Sequence, residues 1–163
     1  MSPETRTAQR CHDKRAPKPE SSDDTKTQEQ APNLTEPDDK LDALAHQVIG
    51  AAIEVHCALG PGYLESLYEE ALCVELALRR ITFARQVPVP VRYKNVVVGE
   101  GRIDLLVGAR LVVELKTVDH FTPVHTAQVL SYLKTLRQPL GLLINFKVAV
   151  LRKGLRRVVL SRP

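Results

Sequence analysis

The sequence predicts an α/β (α+β) protein, in which helices flank a mixed central β-sheet in the order ααβββαβββ. Apolar residues recur with helical spacing over two long segments, which predicts two helices. The segments that follow are runs of β-branched residues separated by turn residues, which predicts strands. One further helical segment interrupts those runs, as expected when helices cover a sheet. The 163 residues are enough for one domain with a substantial core.

A disordered N-terminal tail is predicted over residues 1–40, which leaves residues 41–163 as the domain. The tail contains one leucine, Leu34, and no aromatic or β-branched aliphatic residue. Its content of proline, charged residues, threonine and glutamine is typical of segments that cannot bury enough apolar surface to fold. It also lacks the apolar segment of a secretory signal.

The net charge changes sign at the same boundary. Residues 1–40 carry seven Lys and Arg against nine Asp and Glu, whereas residues 41–163 carry sixteen against ten. The domain is therefore basic, which favours polyanionic partners such as nucleic acid. Its densest basic cluster is expected either to bind nucleic acid or to protect a sheet edge. That cluster comprises Arg152, Lys153, Arg156 and Arg157.

The three cysteines are scattered and lack the spacing of a disulfide framework or a zinc site. Cys57 and Cys73 fall on apolar helical stretches and are expected to be small buried residues. No apolar run is long enough to cross a membrane. These features predict a soluble cytoplasmic protein without a membrane partner.

Two helices are predicted to open the domain. An apolar stripe with helical spacing predicts the first from Leu41 to Leu59, and Gly60-Pro61-Gly62 ends it. The second is predicted from Leu64 to Arg80, since apolar residues again recur at i, i+3, i+4 and i+7. Its closing arginines suit the negative end of the helix dipole.

Three β-strands are predicted next. They span Thr82 to Tyr93, Val96 to Val107 and Leu111 to Val118. Pro88 and Pro90 mark the first as an edge strand, because proline cannot donate a hydrogen bond to a neighbouring strand.

The rest of the chain predicts one helix and three short strands. Thr122 is a suitable N-cap for a helix that runs to about Arg137. An apolar strand is predicted from Leu140 to Phe146. Segments Val148–Leu151 and Leu155–Leu160 are predicted to form a closing hairpin, and this hairpin or an apolar helix face could pair two chains in a homodimer.

The hairpin between the second and third strands carries the most informative polar residues. Glu114 and Lys116 are two residues apart, so they share one face of a strand. If Ala109 is the centre of a three-residue loop, Asp104 lies opposite Glu114, with Cβ atoms roughly 4.5–5.5 Å apart. Two ionised carboxylates at that distance repel unless a cation lies between them, and such oxygen ligands suit Mg²⁺ or Mn²⁺. Alternatively, Arg102 joins these charges in a ladder of salt bridges on a solvated face.

Several short blocks occur together along the domain. Residues 62–68 spell GxxExxY after an LGPG turn, and the blocks IDLLV, VVELK, TPVHTAQVLSYLK and GLLINF follow in order. With these blocks, residues 41–160 resemble the bacterial GxxExxY protein family, which is grouped with the PD-(D/E)XK nuclease superfamily. The resemblance implies a restriction-endonuclease-like core and a metal-dependent nuclease whose partner is nucleic acid, most simply DNA.

The resemblance also implies roles for individual residues. Asp104 matches the aspartate of the superfamily motif, and Glu114 and Lys116 match its E-x-K. The two carboxylates and the carbonyl of Leu115 are the implied ligands of Mg²⁺ or Mn²⁺, and Lys116 is the implied catalytic cation. The proline that often precedes the aspartate is replaced by Ile103.

Some nuclease branches imply two further parts of the site. One is a helical acid at the metal, for which Glu65 is preferred to Glu69 because it belongs to the GxxExxY string. Glu65 could equally serve the helix dipole. Gln128 and Tyr132 fit a QxxxY string that supports the site, or they are a surface glutamine and a half-buried tyrosine. Since a fold does not fix a function, a catalytically silent module that binds nucleic acid or a protein is the alternative.

Overall fold

The computed structural model describes residues 37–160, with the element order ααβββαββ. The helices and strands are α1 Asp39–Leu59, α2 Glu65–Leu78, β1 Phe83–Tyr93, β2 Val96–Val107, β3 Leu111–Lys116, α3 Pro123–Leu136, β4 Leu140–Asn145 and β5 Leu155–Val159. Most of the predicted tail, up to residue 36, lies outside the described residues. Its last two residues belong to the first turn of α1.

The five strands form one mixed sheet in the order β1-β2-β3-β4-β5. β3 and β4 are parallel and are connected through α3, whereas the other neighbouring strands are antiparallel. Every residue of β4 is buried, as expected of a strand covered on both faces. β1, which contains Pro88 and Pro90, lies at the edge of the sheet as predicted.

Helices cover both faces of the sheet. α1 and α2 pack on one face in a cluster that includes Leu72 and Val113. α3 packs on the other face in a cluster that includes Val112 and Leu133. Neighbouring residues of β3 therefore enter opposite clusters, which is the alternation of a strand. α3 approaches β4 closely at Gly141, where an added Cβ would lie 2.6 Å from a side-chain carbon of the helix.

Tyr68 fixes the turn between α1 and α2. Its side chain is fully buried, its hydroxyl donates to the carbonyl of Gly60 at 2.6 Å, and it accepts from the backbone N–H of Tyr63 at 3.2 Å. Its ring stacks on Phe146 with 4.4 Å between the centroids. Gly62 in this turn has a φ of 119°, which residues with a side chain rarely adopt. The last tyrosine of the GxxExxY string thus anchors the start of α2.

The predicted C-terminal hairpin is wrong. Residues 147–150 form bends, Leu151–Gly154 form a 3₁₀ turn, and β5 pairs with β4 instead. The cause is packing: Leu151 is buried in the core, and His56 Nε2 on α1 lies 2.8 Å from the carbonyl oxygen of Val148. A Cβ at Gly154 would collide with the backbone of Asn145, so the turn packs directly on the end of β4.

One cysteine prediction is also wrong. Cys73 is buried as expected, but Cys57 is exposed, because Val55 and His56 take the buried positions at that end of α1. Among residues 37–160, no helix has the length and apolar content needed to cross a membrane.

Candidate functional site

The β2–β3 hairpin has the predicted register. Residues 108–110 form the three-residue loop between the strands. Leu105 pairs with Val113, so the next positions outward are Asp104 and Glu114. The two acidic residues therefore come together through local turn geometry.

β2 is irregular at Asp104. Leu105 packs with α1 and α2, whereas Ile103 packs with α3, so the side-chain alternation shifts between them. The pairing of β1 with β2 skips this position, and Gln86 on β1 has a φ of 50°. The carboxylate of Asp104 turns towards β3, where its Oδ2 accepts from the backbone N–H of Leu115 at 2.7 Å. One oxygen is thus held by the sheet.

Glu114 lies at the centre of the site and is only 2% exposed. Its Oε1 accepts from Lys116 Nζ at 2.8 Å, while its buried Oε2 has no hydrogen-bond partner among the described residues. Burial, followed by the negative charge of Asp104, raises the pKa of Glu114 to about 7. A buried carboxylate oxygen without a partner is costly, and a cation next to it would remove that cost.

Lys116 supplies a positive charge next to this carboxylate. Burial disfavours its charge, but the hydrogen bond and charge of Glu114 outweigh burial, so the pKa of Lys116 lies above its ordinary value. Its side chain is 15% exposed and that of Glu114 is 3% exposed. The alternative of a salt-bridge ladder on a solvated face is therefore wrong.

Glu65, the first residue of α2, reaches the same site. Burial raises the pKa of its carboxyl, whereas the charge of Lys116 and a hydrogen bond from the backbone of Thr117 oppose this. The charges of Asp104 and Glu114 are close enough to interact with it. The structure thus brings the predicted helical acid next to the β2–β3 hairpin.

Glu69, one turn further along α2, is committed to other partners. It is 8% exposed, and its oxygens accept from Arg85 Nε at 3.0 Å and Gln86 Nε2 at 2.7 Å. Both of its oxygens are thus occupied, which leaves Glu65 as the helical acid available to the site. Burial raises the pKa of Asp104, and the charge of Glu69 adds to this effect. Sequence reasoning misses both residues of β1 in this network.

Gln128 and Tyr132 pair on one side of α3. Gln128 Nε2 donates to the hydroxyl of Tyr132 at 3.0 Å. The tyrosine is 9% exposed, and its ring packs against Gly101 of β2, where an added Cβ would lie 2.9 Å from the ring. Within residues 37–160, no hydrogen bond joins this pair to Asp104 or Glu114. Tyr132 thus packs on the strand that carries the aspartate, and Gln128 holds its hydroxyl.

Sequence reasoning also misses Asn145, which lies at the end of β4 and is 1% exposed. Its Nδ2 donates to the carbonyl of Val118 at 2.6 Å, and its Oδ1 accepts from the N–H groups of Val118 and Lys147, each at 3.1 Å. The N–H of Phe146 donates to the carbonyl of Lys116 at 2.8 Å. These bonds fix the end of β3. The only sequence signal for this role is that Asn145 is a lone polar residue in the apolar run LGLLINF.

Comparison with known protein families matches residues 42–158 to the PD-(D/E)XK nuclease superfamily. The chain belongs to this superfamily. The match covers nearly all of the described residues, including every residue of the hairpin site. No curated protein matches the chain. The three helices and the mixed five-stranded sheet of residues 37–160 are consistent with the PD-(D/E)XK fold.

The hairpin carries oxygen atoms of the kind that could hold a divalent ion. Asp104 and Glu114 offer two carboxylates, and Leu115 between the motif residues offers a backbone carbonyl. Mg²⁺ is usually bound through one or two carboxylates and keeps several water molecules. Among the residues that the structure describes, no three His, Cys, Asp or Glu side chains are grouped to hold a metal by themselves. The unpartnered oxygen of Glu114 is the specific observation that favours an ion here.

The predicted basic cluster is divided between the two faces of β5. Arg156 donates to Thr126 Oγ1 on α3 at 2.9 Å and lies over the ring of Phe121. Arg157 points to the other side and pairs with Asp42 on α1 at 2.6 Å. The remaining two basic residues lie on the 3₁₀ turn before the strand: Arg152 and Lys153. These four cations thus flank the sheet edge without forming one continuous patch.

Proposed function

We propose that this protein is a divalent-metal-dependent nuclease that hydrolyses phosphodiester bonds, with DNA as its substrate. The observation that carries the proposal is the buried Glu114, which has one oxygen on Lys116, one oxygen without a partner, and Asp104 beside it. Membership of the PD-(D/E)XK nuclease superfamily supports this reaction class. Within the superfamily, the GxxExxY string at residues 62–68 supports assignment to the GxxExxY family.

Asp104, Glu114 and the carbonyl of Leu115 would hold Mg²⁺ or Mn²⁺, with Glu65 assisting. When bound, such an ion polarises a phosphoryl oxygen and lowers the pKa of a coordinated water. The protein orients the carboxylates beforehand, since Asp104 is held by a backbone N–H of β3.

Lys116 would stabilise the negative charge that grows on the phosphate and would orient the attacking water. Its position is fixed at both ends, because its ammonium donates to Glu114 and its carbonyl accepts from the backbone after β4. Gln128 and Tyr132 would act as positioning residues, since their contacts support β2 near Asp104.

The basic charge of residues 41–163 supports a polyanionic substrate. Phosphate contacts from the four cations around β5 would release counterions, so DNA affinity should fall steeply as salt rises. Arg156 and Arg157 already have partners within the chain, so Arg152 and Lys153 are freer to reach a phosphate.

The test is a cleavage assay with the purified full chain on single- and double-stranded DNA, in Mg²⁺, Mn²⁺ or EDTA. We expect metal-dependent cutting that falls about 100-fold or more in Lys116→Ala and Asp104→Ala, the scale seen when one charge-stabilising group is removed. Lys134→Ala and Glu100→Gln, at exposed positions, are the matched controls and should cut like the wild type.

Each other outcome contradicts the proposal. If the wild type binds DNA but does not cut it, the protein is a silent nuclease-fold module. If cutting survives both site substitutions, or continues in EDTA, the activity arises elsewhere.

A further inference from the structure

The outer side of α2 carries an apolar stripe in which Ala71 is partly buried and the larger side chains are exposed. Leu67, Ala71, Val74 and Leu78 are spaced by four, three and four residues, so they lie within one narrow sector of the helix. The relative exposures of the three larger residues are 50%, 54% and 74% in chain order, and Tyr63 extends the stripe at 51%. We call these five residues the α2 stripe. Alternating spacing of this kind is typical of a helix that packs against another helix.

The apolar surface around the stripe is large for a small protein. Exposed apolar patches of this kind on a soluble protein often mark a protein–protein interface. The contributing residues, each at least 38% exposed, are Leu59, Tyr63, Leu64, Leu67, Val74 and Leu78.

The described residues, 37–160, leave the stripe uncovered. Residues 1–36, which lie outside the described structure, contain only Met1 and Leu34 as large apolar side chains. Residues 161–163 are Ser, Arg and Pro. The occupant must bring an apolar face of its own, and the stripe is such a face.

Charges beside the stripe are compatible with a second copy. Glu70 pairs with Arg85 and Glu75 pairs with Arg79, each at 2.7 Å, so both flanking acids have a basic partner within the chain. The first turns of α2 are acidic, whereas Arg79 and Arg80 follow its end. Glu70 and Arg79 already have partners within the chain, so what favours an antiparallel partner is the opposite orientation of the two helix dipoles.

We propose that the α2 stripe is the interface of a homodimer, in which two α2 helices pack antiparallel across a two-fold axis. With the axis at the middle of the helix, Leu67 of one copy lies level with Leu78 of the other, and Ala71 lies level with Val74. The small alanine lets the helices approach, and the same patch serves both copies, as two-fold symmetry requires.

The dimer leaves the candidate site open. Glu65 is two residues before Leu67, which places it about 160° around the helix from the stripe. The charge of Lys116 and a hydrogen bond from the backbone of Thr117, both at the end of β3, act on the pKa of its carboxyl. Dimer formation and nuclease activity can therefore be tested independently of each other.

The test is the molar mass of the full chain in solution by size-exclusion chromatography with light scattering. We expect twice the chain mass of 18.2 kDa for the wild type. Leu67→Glu and Leu78→Lys should each give monomers. The double variant should restore the dimer, because the two new charges then face each other across the axis. Val124→Glu, at a site that is 72% exposed on α3, is the matched control and should remain dimeric.

Circular dichroism should show equal folding in all variants, since the substituted side chains are exposed. The proposal would be overturned if the wild type had the mass of a monomer when measured at 100-fold the protein concentration of a standard activity assay. A dimer that survives both single substitutions, or one that only the α3 control disrupts, would also overturn it, because the interface would then lie elsewhere.

Discussion

Titration of Glu114 should make the metal-free protein less stable as the pH rises. Its folded-state pKa is raised from 4.5 to about 7, mainly by burial. A carboxyl group with a raised folded-state pKa stabilises the fold fully below the unfolded value, and this contribution is lost as the pH rises through the folded value. The shift corresponds to about 3 kcal/mol at 1.36 kcal/mol per pH unit. The loss should therefore fall between pH 4.5 and pH 7.

Urea unfolding in EDTA at several pH values between 4 and 8 measures this effect. Glu114→Gln is the reference, because its side chain is similar in size and does not titrate. The free energy of unfolding of the wild type should fall by about 3 kcal/mol relative to the variant across this range. Parallel curves would refute the reasoning, since Glu114 would then titrate as an ordinary surface carboxyl.

Divalent metal should reverse the loss at pH 8. An ion that binds the ionised Asp104 and Glu114 stabilises the folded state by about 2.7 kcal/mol at 100 times its dissociation constant. Glu114→Gln should gain much less, because it lacks one of the two charges. Equal stabilisation of both proteins by Mn²⁺ would mean that the ion binds elsewhere.

Three further substitutions test the packing that positions the site. Tyr68→Phe removes the hydroxyl that closes the turn before α2 and should lower the free energy of unfolding by about 1–3 kcal/mol, whereas Tyr63→Phe should change it little. Gly141→Ala places a Cβ against α3 and should lower the free energy of unfolding by about 1–3 kcal/mol in the same urea assay. Gly99→Ala, with open space around it, should lower this free energy far less. Equal losses in the two variants would contradict the packing argument. Asn145→Ala removes three hydrogen bonds at the end of β3 and should lower the free energy of unfolding by about 1–3 kcal/mol, which thermal melting would detect. An unchanged melting temperature would show that these bonds do not stabilise the fold.

Local chemistry explains why most of the sheet and the centre of the site could be predicted. The three residues at 108–110 set the register of β2 and β3, so placing Asp104 opposite Glu114 needed only the spacing of a short loop. The prolines of β1 likewise identified the edge strand. These features depend on residues that are close in the sequence.

The features that the sequence did not reveal depend on contacts between distant segments. Residues 148–154 alternate like a hairpin, but Leu151 is buried against the core and the turn packs on β4. The choice between Glu65 and Glu69 depends on Arg85 and Gln86, which are sixteen and seventeen residues away from the second of these acids. Helical spacing alone puts both acids on similar sides of α2.

The division of the basic cluster has the same origin. Arg156 and Arg157 are neighbours in the sequence, but a strand directs them to opposite faces. One meets Thr126 on α3 and the other meets Asp42 on α1. The density of basic residues along the chain predicts one basic patch, whereas the strand places neighbouring arginines on opposite faces of the sheet.

Calorimetric titration of the metal-free protein with Mn²⁺ tests the central claim most directly, because it reports on the Asp104–Glu114 site without any need for a substrate. We predict binding to the wild type, binding that is lost in Asp104→Ala, and unchanged binding in Glu100→Gln at an exposed position of β2. Equal binding by the wild type and Asp104→Ala, or no binding by the wild type at pH 8, would contradict the assignment of this hairpin as a metal site.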